Sequence, residues 1–228
     1  MNRPGEPADP AARADERARM VERQLAARGV HDARVLAAMG AVPRHWFVAP
    51  ELADHAYADS ALPSELGQTL SQPWVVARML ELAAIAPGDR VLEVGTGTGY
   101  QAALLATLGA DVFTIERLAP LAAAACARLA ALGLGRVHVK VGDGTLGWQE
   151  FAPYARVLAA AAAPHVPRAL LDQLGDGGVL VIPVGSARSQ CLEVWRRRPN
   201  GFLHERYDAC RFVPLIGLDA WREDPHHN

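Results

Sequence analysis

The sequence is short of three things that would otherwise narrow its role: cysteine, lysine and long apolar runs. Its three cysteines, Cys126, Cys191 and Cys210, are odd in number and far apart. That spacing argues against a disulfide framework or a paired-cysteine metal site, and all three are expected to be small buried hydrophobes. The eight histidines do not cluster either, so no metal is expected. Lys140 is the single lysine beside 22 arginines, and the formal net charge is −2. A general nucleic-acid-binding surface would show as a basic excess, so no such partner is expected. No apolar run reaches the roughly 18 to 20 residues that cross a bilayer. The N-terminus lacks the apolar core of a secretory signal. A cytoplasmic monomer without membrane contact is the expectation.

Half of the residues are apolar and 21% are charged, which suits one globular domain with appendages. Residues 1–14, rich in Pro, Ala, Asp and Glu, are expected to be a disordered tail. Met20, Val21, Leu25 and Val30 then mark an apolar helical stripe, closed by Gly29. A second helix is predicted from Asp32, its N-cap, to Met39. The stretch from Val48 to Gln72 is long and irregular, as functional loops are. Pro73 to Ala84 reads as a helix with Val75, Val76, Met79, Leu80 and Ala83 on one face.

From Pro87 onward short apolar strands alternate with helices. Strands are predicted at 90–95, 111–116, 137–141, 157–161 and 179–184, and helices at 100–108 and 118–132. Such alternation implies a parallel sheet covered on both faces. Cys191–Arg197 and His204–Val213 follow with no helix between them, as an antiparallel hairpin at the sheet edge. The predicted fold class is α/β, a Rossmann-like doubly wound sheet with that hairpin and an N-terminal helical elaboration. Residues 15–86 would form the helices and a covering loop, 87–218 the ligand-binding α/β domain, and 219–228 a polar tail.

The chemistry is concentrated in two stretches. The first is Val91 to Tyr100, VLEVGTGTGY, in which Gly95, Gly97 and Gly99 form a turn where a ligand can approach the backbone. The spacing differs from the G-x-G-x-x-G of dinucleotide sites. With Glu93 on the strand before it, the pattern fits a nucleoside-methionine cofactor. Glu116 ends the next strand, where a carboxylate can accept from both ribose hydroxyls, and Asp143 follows the third, where an adenine amino group can be read. The competing reading is a solvated strand-end charge for Glu116 and a turn former for Asp143. The second stretch is Gly67-Gln68-Thr69-Leu70-Ser71-Gln72-Pro73, in the loop upstream of the first sheet strand. Ser71 there is either an N-cap or a functional hydroxyl beneath a cover over the cofactor. A nucleophilic serine is a poor reading, because the sequence has no G-x-S-x-G elbow.

From Arg19 to about Gly217 the chain resembles the protein-L-isoaspartate O-methyltransferase family. The resemblance rests on Met20-Val21 with Gln24-Leu25, Val42-Pro43-Arg44 with Phe47-Val48, and the 67–73 block. It continues through Gly142-Asp143-Gly144, Ala161-Ala162-Ala163-Pro164, Pro183-Val184-Gly185 and Arg211-Phe212-Val213-Pro214-Leu215. It implies methyl transfer from S-adenosylmethionine, leaving S-adenosylhomocysteine, to the free carboxylate of L-isoaspartyl residues in damaged proteins. It makes Ser71 the active-site residue and assigns the cofactor to Thr69, Gly95, Glu116, Asp143 and Gly144. With their neighbours, the expected cofactor set becomes Thr69, Leu70, Gln72, Glu93, Gly95, Thr96, Gly97, Gly99, Glu116, Arg117, Asp143 and Gly144.

Two segments depart from the family pattern. Ser64-Glu65-Leu66 replaces an Ile-Gly-x step beside the active-site loop. Tyr154-Ala155-Arg156 replaces Tyr/Phe-Asp-Ala, removing a carboxylate expected near the cofactor side of the sheet. Either change would suit a paralogue with another acceptor, or one that binds the cofactor without turnover. An NAD-dependent oxidoreductase ranks last, because the glycine spacing is wrong.

Overall fold

The computed structural model describes residues 12–134 and 137–222. The first helix, α1 (Ala14–Arg19), continues as a π turn over Met20–Leu25 and a 3₁₀ turn over Ala26–Arg28. Gly29, at φ 87°, ends it, as its lack of a Cβ allows. Helix therefore begins at Ala14, and Arg13 is tied to the Ala53 carbonyl and to Asp54. The expected tail over 1–11 lies outside the described residues, as do 223–228 of the C-terminal one. In α2 (Ala33–Ala41) the Asp32 side chain accepts from the Arg34 and Val35 amides. This helix outlasts its predicted end at Met39, because the break waits for Val42, the residue before Pro43.

The long segment that follows is less irregular than expected. It holds 3₁₀ turns at Arg44–Phe47, Pro50–His55 and Glu65–Gly67. A small antiparallel pair, β1 (Leu62–Pro63) and β2 (Thr69–Leu70), brackets the last of them. Helix α3 (Pro73–Ala83) then buries Val75, Val76, Met79, Leu80 and Ala83.

The remainder is β3 (Arg90–Val94), α4 (Tyr100–Thr107), β4 (Asp111–Glu116), α5 (Ala119–Ala131), β5 (Val137–Val141), β6 (Tyr154–Ala159), α6 (Arg168–Asp172), β7 (Leu174–Gly185), β8 (Gln190–Arg198) and β9 (Gly201–Cys210). The sheet order is β5-β4-β3-β6-β7-β8-β9. Pairings are parallel from β5 through β7, and β8 and β9 add an antiparallel hairpin. The doubly wound sheet is as expected. Its order reverses between β3 and β6, where such sheets open a crevice at their carboxyl ends. Alternate residues of β3 serve opposite faces: Val91 joins one apolar cluster, Leu92 and Val94 the other. The first cluster also takes Met20, Met39, Leu80 and Leu104, so the N-terminal helices share a core with the sheet.

Several expectations are corrected. Strands β6 and β7 start at Tyr154 and Leu174, earlier than 157 and 179, because Ala155, Arg156 and three glycines interrupt the apolar signal. The five-residue α6 is too short to show a period. None of the cysteines is buried: Cys126 is exposed on α5, and Cys191 and Cys210 are intermediate. Ala155 and Arg156 lie at the amino end of β6, with Arg156 beside Val91, so a carboxylate there would face away from the crevice. Arg156 instead donates to the Ala84 carbonyl at the end of α3 and pairs with Asp89.

Candidate functional site

A cleft with about 800 Å³ of space, open to solvent, lies at the carboxyl ends of β3, β4 and β6. Its floor is the glycine turn. Gly95 (φ 93°), Gly97 (φ 53°) and Gly99 (φ 93°) all adopt left-handed backbone, which residues with a Cβ reach only with strain. The Gly95 amide donates to the Ile115 carbonyl, and the Gly97 amide to Glu116 Oε2. Glu116 Oε1 accepts from the Leu118 amide. Its carboxylate is thus fixed at the end of β4 and buried, and each oxygen keeps a second acceptor site for hydroxyls entering the cleft.

The roof is the loop read as a functional block. Gln68, Thr69, Leu70 and Ser71 line the cleft. Ser71 is not the N-cap of α3: Gln72 holds that position, and no side chain caps the helix. The backbone oxygen of Ser71 accepts from Arg44 Nη2 at 2.8 Å, and its hydroxyl has no hydrogen-bond partner among the described residues. One wall is a segment to which no role had been assigned, Val213 to Ile216. It is held against the loop after β6 by the Ala162 amide donating to Val213 and the Leu215 amide to Ala162.

Of the predicted site residues, the cleft brings together Thr69, Leu70, Ser71, Gly95, Thr96, Gly97, Glu116, Arg117 and Gly144. Gly144 is required as glycine, since a Cβ there would meet Val94 Cγ1 at 2.4 Å. Four others stand behind the walls. Gln72 turns outward to Asp59. Gly99 packs where a Cβ would meet Ala125 and Leu129. Asp143 uses Oδ1 for the Thr145 amide and hydroxyl, and Oδ2 for the Leu218 amide. It is a turn former that also anchors the C-terminal segment. Glu93 is fully buried, accepts from the Thr114 hydroxyl at 2.6 Å, and has the Gln101 side chain against it as well. Burial pushes its pKa up to about 8.

Tyr100 and Gln101 line the cleft but were not predicted as site residues. Their signal was their place, in the first turn of the helix after the glycines. The Gln101 side chain is buried and faces the Glu93 carboxyl.

A family model described as Protein-L-isoaspartate(D-aspartate) O-methyltransferase (PCMT) matches residues 15–220. The chain belongs to this family. A Protein-L-isoaspartate O-methyltransferase of Koribacter versatilis is 55% identical over 206 residues, covering 90% of this chain and 93% of its own. One from Methanoregula boonei is 52% identical over 212 residues, covering 93% and 98%. A solved protein-L-isoaspartate O-methyltransferase superposes with TM-score 0.80 at 26% identity, over 91% of this chain and 67% of that one. A Plasmodium falciparum structure, described as a complex of such an enzyme with S-adenosyl-L-homocysteine, has TM-score 0.77 at 23% identity, over 88% and 98%, and supports the fold.

The cofactor of this family is S-adenosylmethionine, and the cleft fits it. A buried carboxylate with spare acceptor sites suits vicinal ribose hydroxyls. The apolar walls of Val94, Ile115 and Leu215 suit a flat base.

Proposed function

We infer that this protein transfers a methyl group from S-adenosylmethionine to the free carboxylate of L-isoaspartyl residues in damaged polypeptides. The observation that carries the reading is one cleft containing both the fixed Glu116 carboxylate and the unpartnered Ser71 hydroxyl, in a member of this methyltransferase family. When bound, the cofactor supplies an electrophilic methyl group on a sulfonium. A substrate carboxylate is ionised at neutral pH, so its attack needs no general base, and no histidine among the described residues lines the cleft. What remains for the chain is positioning and exclusion of water, which can lower a barrier by roughly 7 to 11 kcal/mol.

In this reading Glu116 holds the ribose and the glycine turn admits the cofactor chain. Ser71 donates its hydroxyl to one oxygen of the substrate carboxylate and orients it. The product ester then closes spontaneously to a succinimide as the neighbouring backbone nitrogen expels methanol. Hydrolysis of that ring yields normal aspartate in part. The working form is proposed as a monomer in the cytoplasm, with no nucleic-acid or membrane partner, as the net charge of −2 favours. Mass spectrometry of an isoaspartyl peptide incubated with protein and S-adenosylmethionine tests the reading. A one-methyl mass gain followed by its loss and the appearance of aspartyl peptide is expected. An unchanged peptide, with cofactor binding intact, would assign the protein another acceptor.

A further inference from the structure

Arg44 is a fully buried cation for which the described residues supply no anion. Its Nε donates to the Ala56 carbonyl and its Nη2 to the Ser71 carbonyl, both at 2.8 Å. Its guanidinium lies 4.9 Å from the centre of the Tyr100 ring, and Nη1 has no partner. No carboxylate pairs with it among the described residues. Burial lowers its pKa, the Tyr100 interaction opposing, yet a guanidinium stays charged in proteins. An uncompensated buried charge is costly. Two carbonyl bonds and the Tyr100 ring offset that cost only in part, because neither supplies a negative charge.

Both groups that Arg44 holds, Ser71 and Tyr100, line the cleft. Ser71 also stands two residues before α3, whose N-terminal partial charge has the same sign. We propose that Arg44 is a positioning residue that fixes Ser71 and whose buried charge selects a carboxylate over a neutral group beside that hydroxyl. The inference rests on the isoaspartyl reading, whose substrate brings such an anion. Methyl transfer merges the carboxylate charge with that of the sulfonium. The Arg44 charge therefore favours the bound substrate more than the transition state, and its loss falls on peptide binding.

The test compares binding of an isoaspartyl peptide with that of its isostere carrying a carboxamide in place of the free carboxylate, both on protein loaded with S-adenosylhomocysteine. The wild-type protein is expected to prefer the acid. Arg44→Met is expected to lose about tenfold of that preference, the equivalent of ~1.4 kcal/mol. Its peptide KM should rise by a similar factor with kcat changed less than about threefold, and Arg44→Lys should restore part of the preference. Arg44→Met that keeps the full preference would overturn the proposal. So would weakened S-adenosylhomocysteine binding with the preference intact, which assigns the charge to the cofactor's own carboxylate. Should Arg44→Met not fold, the wild-type protein decides. A buried charge is little screened, so the preference should survive from about 0.05 M to about 1 M salt, where the Debye length is roughly 3 Å. A preference lost at high salt would assign it to exposed arginines such as Arg117 and Arg211. Wild-type protein that binds neither peptide would instead refute the isoaspartyl reading.

Discussion

Glu93 shows how one residue can look like a ligand and sit elsewhere. It precedes the glycine turn, yet its carboxyl is enclosed behind the turn with the Thr114 hydroxyl as its donor. Burial raises its pKa from 4.5 to about 8. An acid whose folded pKa is raised contributes stability below its unfolded pKa, and that contribution is lost as pH rises toward the folded value. Stability should therefore decline between pH ~4.5 and ~8, by up to about 1.4 kcal/mol per pH unit from this group. Glu93→Gln should flatten that decline and make the unliganded protein more stable at pH ~8, as urea unfolding at several pH values would show. Equal slopes in the two proteins would mean that Glu93 is ionised in place. At Ser71 the expectation concerns turnover. Ser71→Ala should bind S-adenosylhomocysteine as the wild type does and lose about 10- to 100-fold in kcat/KM, the worth of one hydrogen bond to a charged group. Unchanged turnover with an isoaspartyl peptide would remove the serine from the reaction.

At the scale of elements, the cover is the part the sequence described least well. The 62–72 loop had no periodicity to read, because its order comes from a two-residue β pair and side chains far away in sequence. Glu65, which replaces a glycine of the family pattern, does not need glycine's conformational freedom. The left-handed residues there are Leu66 (φ 55°) and Gly67 (φ 69°). Its carboxylate pairs with Arg128 on α5 at 2.7 Å, joining the cover to the helix that follows Glu116. The pair is half-exposed on the glutamate side, so its worth is at most about 1 kcal/mol. Arg128→Ala should speed S-adenosylhomocysteine release in stopped-flow measurements by up to about fivefold, less at high salt. An unchanged release rate would mean that the cover does not gate exchange. The sheet elements, by contrast, were legible. Arg90–Val94, Asp111–Glu116 and Val137–Val141 match prediction to within a residue, because buried parallel strands are unbroken apolar runs. Five-residue α6 and the early starts of β6 and β7 were not, since glycine and arginine there break the pattern while pairing continues.

For the whole molecule, topology decides what comes together. The roof (68–71), floor (95–97) and far wall (213–216) meet only because the strand order reverses between β3 and β6. Glycine spacing and strand-end acids made most of that cleft readable in advance. The Val213–Ile216 wall was not, because its place depends on pairing with the Ala162 loop, which no local pattern encodes. Nor was Arg44, whose arrangement appears only once Ala56, Ser71 and Tyr100 are folded around it. The two departures from the family pattern also look different in three dimensions. Arg156 caps α3 on the far side of the sheet, and Glu65 braces the cover, so neither removes a group from the cleft.

The central claim is that this cleft methylates isoaspartyl carboxylates. Its most direct test is transfer of labelled methyl from S-adenosylmethionine to a peptide with one L-isoaspartate, beside the same peptide with normal aspartate. Label on the isoaspartyl peptide alone is the predicted result. Equal label on both peptides, or label on neither while S-adenosylhomocysteine still binds, would contradict it.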